Sequence, residues 1–351
     1  MDYKELVEIY EKIDSASKRL DKTYYVSELL KKTKKEDIDK VILLLQGMVF
    51  PKWDKKTIGI ATNLVIKAIG LSTGKTDEQI KNKWKEIGDL GKTAEAIERT
   101  QNTLFSQKLT VSKVFDTIKK LSEISGKGST EIKLKLIANL LSNSIPKEAR
   151  YIIRTLLEDL RIGVAEGTLR DAIAWAFFPK IVGIFYQCDN CGQWMPNTDK
   201  CINCRKKIIN KFKDEIGKFK ISEKTLEIKN ADEVINNLEK IEKYDFIFCA
   251  DEKEARKIYN FFIDKVQHAY NVTNDFSTVA KALVEKGING LEELKLTPGK
   301  PIKVMLYQKS KGIYDAFERV GKPAALEYKY DGFRMQIHKK EEKIKLFTRR
   351  L

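Results

Sequence analysis

Two groups of residues in this chain have the types and spacing to do chemistry. The first is Cys188-x-x-Cys191 followed by Cys201-x-x-Cys204, two pairs with nine residues between them. Four thiolates so spaced can close a tetrahedral site around Zn²⁺, and Gly192, Pro196 and Asn197 supply the turns such knuckles need. A four-Cys site has no open position, so its metal is expected to be structural. The second group centres on Lys329, in the run Leu326-Glu-Tyr-Lys329-Tyr-Asp-Gly332-Phe-Arg334. A free lysine has a pKa of about 10.4 and is almost wholly protonated at neutral pH. If the run is a strand, Glu327 and Lys329 share a face, Asp331-Gly332 can bend around a ligand, and Arg334, Arg349 and Arg350 bring positive charge nearby. Desolvation and neighbouring cations would favour the neutral amine, which could attack the α-phosphorus of a nucleoside triphosphate and expel pyrophosphate. Mg²⁺ would neutralise charge on the leaving oxygens. The competing reading is a surface hairpin with alternating lysines, since K-x-D-G by itself is a weak signal.

Other candidates carry less. Gly70-Leu-Ser-Thr-Gly-Lys75-Thr76 is one residue short of a phosphate loop and follows a helical stripe instead of a strand, so it is read as an inter-helix turn. Arg205, Lys206 and Lys207 beside the cysteines could touch nucleic acid. Trp194 could stack on a base, although a small hydrophobic core is the better use for it. Cys249 lies in an apolar run and reads as a buried residue.

The elements that must position these residues fall into two styles. Residues 1–180 read as successive amphipathic helices: Leu6, Ile9, Tyr10 and Ile13 form the first apolar stripe, and Val41–Leu45, Leu64–Ile69 and Ile132–Leu141 form others. Gly70–Gly74, Ser125–Ser129 and Ser144–Lys147 read as the loops between helices. Residues 181–265 mix the cysteines, a Lys-rich helical stretch (Ile208–Phe219) and one strand-like run, Tyr244–Ala250. After a helical return over 266–300 and the linker Thr297-Pro-Gly-Lys-Pro301, Leu326–Lys339 and Lys343–Arg349 read as two strands turning at Lys340-Glu-Glu. Sixty-six Lys+Arg against fifty Asp+Glu leave a net charge of +16, which favours a polyanionic partner. The excess sits at 51–150 (+8) and in the last fifty-one residues (+7). No run of eighteen uncharged apolar residues occurs and the N-terminus lacks an apolar signal core, so a membrane is disfavoured and a cytoplasmic setting expected.

At these residues the chain resembles the ATP-dependent DNA ligases of the archaeal replicative type. Glu327-Tyr-Lys329-Tyr-Asp331-Gly332-Phe-Arg334 resembles the family's nucleotidyltransferase signature, and Phe347-Thr-Arg349-Arg350-Leu351 its next motif. Asp159-Leu-Arg161-Ile-Gly163-Val-Ala-Glu166-Gly167-Thr168-Leu-Arg170-Asp171-Ala resembles its helical DNA-binding domain, as do Gly88-Asp-Leu-Gly91 and Ala269-Tyr-Asn-Val-Thr-Asn-Asp275. The resemblance implies that Lys329 carries AMP and that Glu327, Arg334 and Arg349 contact ATP. It implies a mainly α fold: a helical DNA-binding domain over 1–180, an inserted segment with the four-Cys zinc cluster over 181–265, a helical return with linker over 266–300, and the first strands of an α+β nucleotidyltransferase domain over 301–351. Within 159–171, Thr168 is expected to cap a helix with Asp171 at N3. Arg161, Gly163, Thr168 and Arg170 are expected to face a DNA phosphate. The implied partner is nicked duplex DNA, sealed in replication, repair and recombination; a sliding clamp is a further candidate.

Two departures qualify these expectations. About eighty residues separate Phe178-Pro179 from Val266-Gln-His-Ala-Tyr270, where the family usually runs almost directly on. The chain also stops at Leu351, before the family's metal-holding carboxylates, downstream lysines and OB-fold. A fragment, or one half of a split enzyme completed by a second chain, is therefore expected, with no self-adenylation by the chain alone. The alternatives are a non-catalytic helical and zinc-binding DNA module, or an RNA ligase or capping guanylyltransferase, which shares K-x-D-G but does not account for residues 1–180.

Overall fold

A computed structural model of the chain describes residues 1–98, 108–207, 224–249, 251–304 and 309–348. Among the described residues ten α-helices lead: α1 (Tyr3–Ser15), α2 (Arg19–Lys32), α3 (Ile38–Leu45), α4 (Thr62–Thr73), α5 (Asp77–Ile87), α6 (Leu90–Ala96), α7 (Val111–Leu121), α8 (Ser129–Ser142), α9 (Pro146–Leu156) and α10 (Glu166–Phe177). The apolar stripe expected on the first is its core face: Leu6, Tyr10 and Ile13 are fully buried and Ile9 packs against them. The closest helix pairings are α2 on α10, α6 on α9 and α4 on α8.

Helix ends follow local chemistry. Pro146 opens α9, where its missing N–H costs nothing. The Gly70–Thr76 motif resolves into two such ends. Gly70 lies inside α4, which runs on to Thr73; Gly74 ends it with φ +74°, and Thr76 caps α5 through a reciprocal bond pair with Gln79. The motif is thus an inter-helix turn, but helix α4 extends four residues into the expected loop.

After α10 come β1 (Lys180–Ile181), the hairpin β2 (Phe185–Gln187) and β3 (Trp194–Pro196), and β4 (Thr225–Ile228). Two single-turn helices follow, α11 (Asp232–Ile235) and α12 (Leu238–Ile241), then β5 (Phe246–Cys249). β5 is the centre of a parallel sheet ordered β1-β5-β4. Of the strand-like run expected at 244–250, Ala250 lies outside the described residues and Phe246–Cys249 form this central strand, with Ile247 and Cys249 fully buried. Its two partners are four residues long or less and carry no periodicity, so only the pairing reveals them. Helix α13 (Glu252–Thr273) then runs unbroken through residues 265 and 266 and packs on α10, α14 (Phe276–Lys286) and β5, followed by the short α15 (Asn289–Glu292).

The C-terminal part holds α16 (Ile313–Val320) and the antiparallel hairpin β6 (Met335–Lys340) and β7 (Lys343–Thr348), turning at Glu341-Glu342. This corrects the expected first strand: Leu326–Arg334 is not extended into the sheet. β7 pairs residue for residue with 335–340 only, and an unpaired strand does not persist alone. Gly299 donates to His338 Nδ1 at 2.9 Å, and Ile302 and Gln336 exchange two bonds of 3.0 Å, so the linker lies against β6. Among the described residues from 309 to 348, Phe347 alone is buried. The whole is mainly α, and no described helix is long and apolar enough to cross a membrane.

Candidate functional sites

The cysteines converge. The Sγ atoms of Cys188, Cys191, Cys201 and Cys204 all lie within 4.8 Å of one another, with Cys188–Cys204 and Cys191–Cys201 each 3.6 Å apart. Tetrahedral Zn–S bonds of about 2.3 Å place sulfurs roughly 3.8 Å apart, so the set fits Zn²⁺. The two halves are built alike. In each, the residue after the second cysteine donates to the carbonyl of the first: Gly192 to Cys188 at 2.8 Å and Arg205 to Cys201 at 2.9 Å. The first cysteine in turn donates two residues beyond the second, Cys188 to Gln193 and Cys201 to Lys206. Both closing residues are left-handed, Gly192 at φ +68° and Arg205 at +61°. A backbone N–H from Lys206 draws the Cys204 thiol down to about 6, whereas burial pushes Cys201 up to about 12.

Arg205 does not hang free towards a ligand. Its guanidinium donates to Asp21 Oδ2 and to the Tyr25 hydroxyl, both at 3.0 Å, and so ties the second knuckle to α2. Lys206 binds Asn190 Oδ1 at 2.6 Å. Trp194 packs on Phe246 with ring centroids 4.7 Å apart, which is the core use expected of it.

On the helical face, the loop before α10 is held by a second layer. Arg161 (φ +57°) donates to Asp159 at 2.6 Å and to Asp89 at 3.3 Å; Asp89 is buried, also receives Arg154 at 2.8 Å, and caps α6 by accepting from Lys92 N–H at 2.9 Å. Gly163 is left-handed at +65°, and Lys22 Nζ donates to the neighbouring Ile162 carbonyl at 3.0 Å. Arg19 donates to the Gly167 carbonyl at 3.0 Å and pairs with Asp171. Arg170 is occupied by Asp171 (2.7 Å) and Gln267 (3.3 Å).

Thr168 does not cap this helix. The left-handed turn at Gly163 brings the chain into α10 at Glu166, so the capping position falls on Ala165 and Thr168 lies inside the first turn, 2% exposed. Arg19 and Lys22 were not among the expected residues; their signal was the basic start of α2, Lys18-Arg19-x-x-Lys22. Glu166 was also overlooked. It accepts from Lys52 at 3.2 Å and from Lys303 at 2.5 Å, two residues far away in sequence.

Lys329 stands in solvent. Its ammonium pairs with Asp331 Oδ1 at 2.9 Å, with the side chains 73% and 96% exposed, so this bond adds little stability. Glu327 and Arg334 are exposed on the same stretch, but without a strand there the shared face expected for Glu327 and Lys329 does not form. Arg349 lies outside the described residues, as do Arg350 and the Lys-rich stretch from Ile208 to Phe219.

The helical bundle and the lysine stretch correspond to two separate domain matches. The family model described as DNA ligase N terminus matches residues 2–174, and that described as ATP dependent DNA ligase domain matches residues 304–351. The class defined is thus a DNA ligase helical domain leading into an ATP-dependent ligase domain. The chain belongs to the ATP-dependent DNA ligase family. It is 34% identical to a DNA ligase of Methanobrevibacter smithii, an alignment covering 100% of this chain and 49% of that protein. Identity to DNA ligases of Nanoarchaeum equitans and Methanothermobacter thermautotrophicus is 33%, covering 100% and 99% of this chain and 48% of each relative. The chain spans about half the length of the curated relatives it matches.

Proposed function

We propose that this chain supplies the DNA-binding and AMP-accepting part of an ATP-dependent DNA ligase that seals nicks in duplex DNA during replication, repair and recombination. The observation that carries this reading is the position of Lys329-Tyr-Asp331-Gly332 within the span matched to the ATP-dependent ligase domain, behind a helical half matched to the ligase N terminus. Lys329 Nζ attacks the α-phosphorus of ATP; a P–N bond forms and pyrophosphate leaves. Glu327, Arg334 and Arg349 hold the nucleotide. The AMP then passes to the 5′-phosphate at the nick, and the 3′-hydroxyl attacks that phosphorus and releases AMP. Mg²⁺, when bound, offsets charge on the leaving oxygens. The cysteine set holds structural Zn²⁺, the partner is nicked duplex, and the setting is cytoplasmic. A sliding clamp is a further proposed partner.

The exposure of Lys329 favours a second reading for the chain acting alone, a DNA-binding module. Incubation with α-labelled ATP and Mg²⁺ tests both readings. Label is expected on wild-type chain only when a polypeptide corresponding to the relatives' C-terminal half is added, and Lys329→Ala should abolish it. Label surviving in Lys329→Ala would exclude Lys329 as the acceptor. Nicked-duplex binding without label in either condition would favour the module.

A further inference from the structure

Two lysines from distant parts of the chain meet at Glu166, and a third stands over the aromatic ring next to one of them. Lys52 comes from the loop after α3, Lys300 from the linker and Lys303 from just beyond it. Glu166 Oε1 accepts from Lys52 at 3.2 Å and Oε2 from Lys303 at 2.5 Å. Lys303 Nζ also reaches the Tyr270 hydroxyl at 3.3 Å and lies 5.0 Å from that ring's centroid, while its backbone N–H is fixed on the Asn271 carbonyl at 2.9 Å. Lys300 Nζ sits 5.7 Å over the ring of Trp53, the residue next to Lys52. Lys52 and Lys303 bring two positive charges to the one carboxylate and Lys300 adds a third over Trp53, while Glu166, Lys52 and Lys303 keep 35%, 52% and 30% of their side chains exposed.

We propose that Lys52, Lys300 and Lys303 form a subsite for the phosphodiester backbone of duplex DNA, which Glu166 occupies as an intramolecular anion until DNA displaces it. A carboxylate taking one ammonium on each oxygen presents the charge and acceptor geometry that a phosphate's two free oxygens would bring. The surplus of two cations means that a phosphodiester meets net attraction there even before Glu166 turns away. Lysines are point charges, and none of the three is arranged as a planar fork for a base edge. The subsite therefore grips backbone without reading sequence, as sealing at any nick demands. This inference rests on the DNA-binding reading above.

Fluorescence anisotropy of the full chain on labelled nicked duplex, repeated across a salt series, tests it. Glu166→Gln keeps the shape and removes the competing charge; it is expected to tighten binding several-fold at moderate salt. Lys52→Ala, at an exposed position, is expected to weaken binding and flatten the slope of log K against log salt by about 0.9, the value for one lost phosphate contact. Unchanged or weaker binding by folded Glu166→Gln, or a wild-type slope for Lys52→Ala, overturns the subsite while leaving the DNA-binding reading in place. Absence of salt-dependent binding by the wild type overturns both.

Discussion

Asp89 shows how much one buried carboxylate organises. It caps α6, neutralises the buried Arg154 and steadies the exposed Arg161. Burial alone would raise its pKa, but the hydrogen bond from Arg154, the Lys92 N–H and the two guanidinium charges outweigh it and hold the carboxyl below the ordinary value of 3.8. A lowered folded pKa contributes stability that is fully present above the unfolded value and lost as pH falls through the folded one. Asp89→Ala strands Arg154 and is expected to cost about 3–5 kcal/mol at pH 7 in urea unfolding. The gap from wild type should narrow below about pH 4; an equal gap at both pH values would show that ionisation of Asp89 is not what matters. The sequence held the Gly88-Asp-Leu-Gly91 motif in plain view but could not say what Asp89 touches, since its partners lie 65 and 72 residues away.

At the scale of elements, the paired cysteines were legible because their spacing is local. What decides the orientation of the knuckles is not local. Arg205 accepts a left-handed backbone where its counterpart in the first knuckle is Gly192, and it gains the anchor to Asp21 and Tyr25 in return. Two substitutions separate strain from anchor. Arg205→Ala keeps the strained backbone and loses the anchor, whereas Arg205→Gly loses the anchor and relieves the strain. The glycine variant is expected to be more stable than the alanine variant by about 1 kcal/mol in thermal unfolding. Equal stabilities would show that the left-handed turn carries no cost there. Helices with apolar stripes were equally legible, but the sheet ordered β1-β5-β4 was not, because its outer strands are too short to show a period and their pairing is long-range.

Across the whole molecule, the apolar interior is unevenly shared. The helical body and the small parallel sheet form one continuous core, which also takes in Cys188, Met195 and Cys201 of the knuckles. Over the C-terminal part, by contrast, Ile313, Tyr314, Leu326, Tyr328, Tyr330 and Phe333 are each at least 75% exposed. Among the described residues none of the four cysteines lies on a helix, so zinc should stabilise the knuckles and their dock without being needed to form the helices. Cys204→Ser, or treatment with a strong chelator, is expected to take bound zinc from one per chain to none and lower the thermal midpoint. The far-ultraviolet helical signal should persist at room temperature. Loss of that signal together with the metal would show that the knuckles nucleate the bundle.

By itself the sequence determined the features written in local spacing: amphipathic helices, the cysteine pairs, the K-x-D-G lysine and the family these signatures point to. Such features depend on neighbours within a few residues, where side-chain periodicity and turn chemistry act. Only the tertiary structure decided that Thr168 is buried, that Arg170 and Arg161 are engaged by carboxylates, that Arg205 is an anchor, and that Glu166 gathers lysines from either end of the chain. Whether a charged side chain faces a ligand or another part of its own chain depends on which distant segments fold against it, and no window of sequence contains that information.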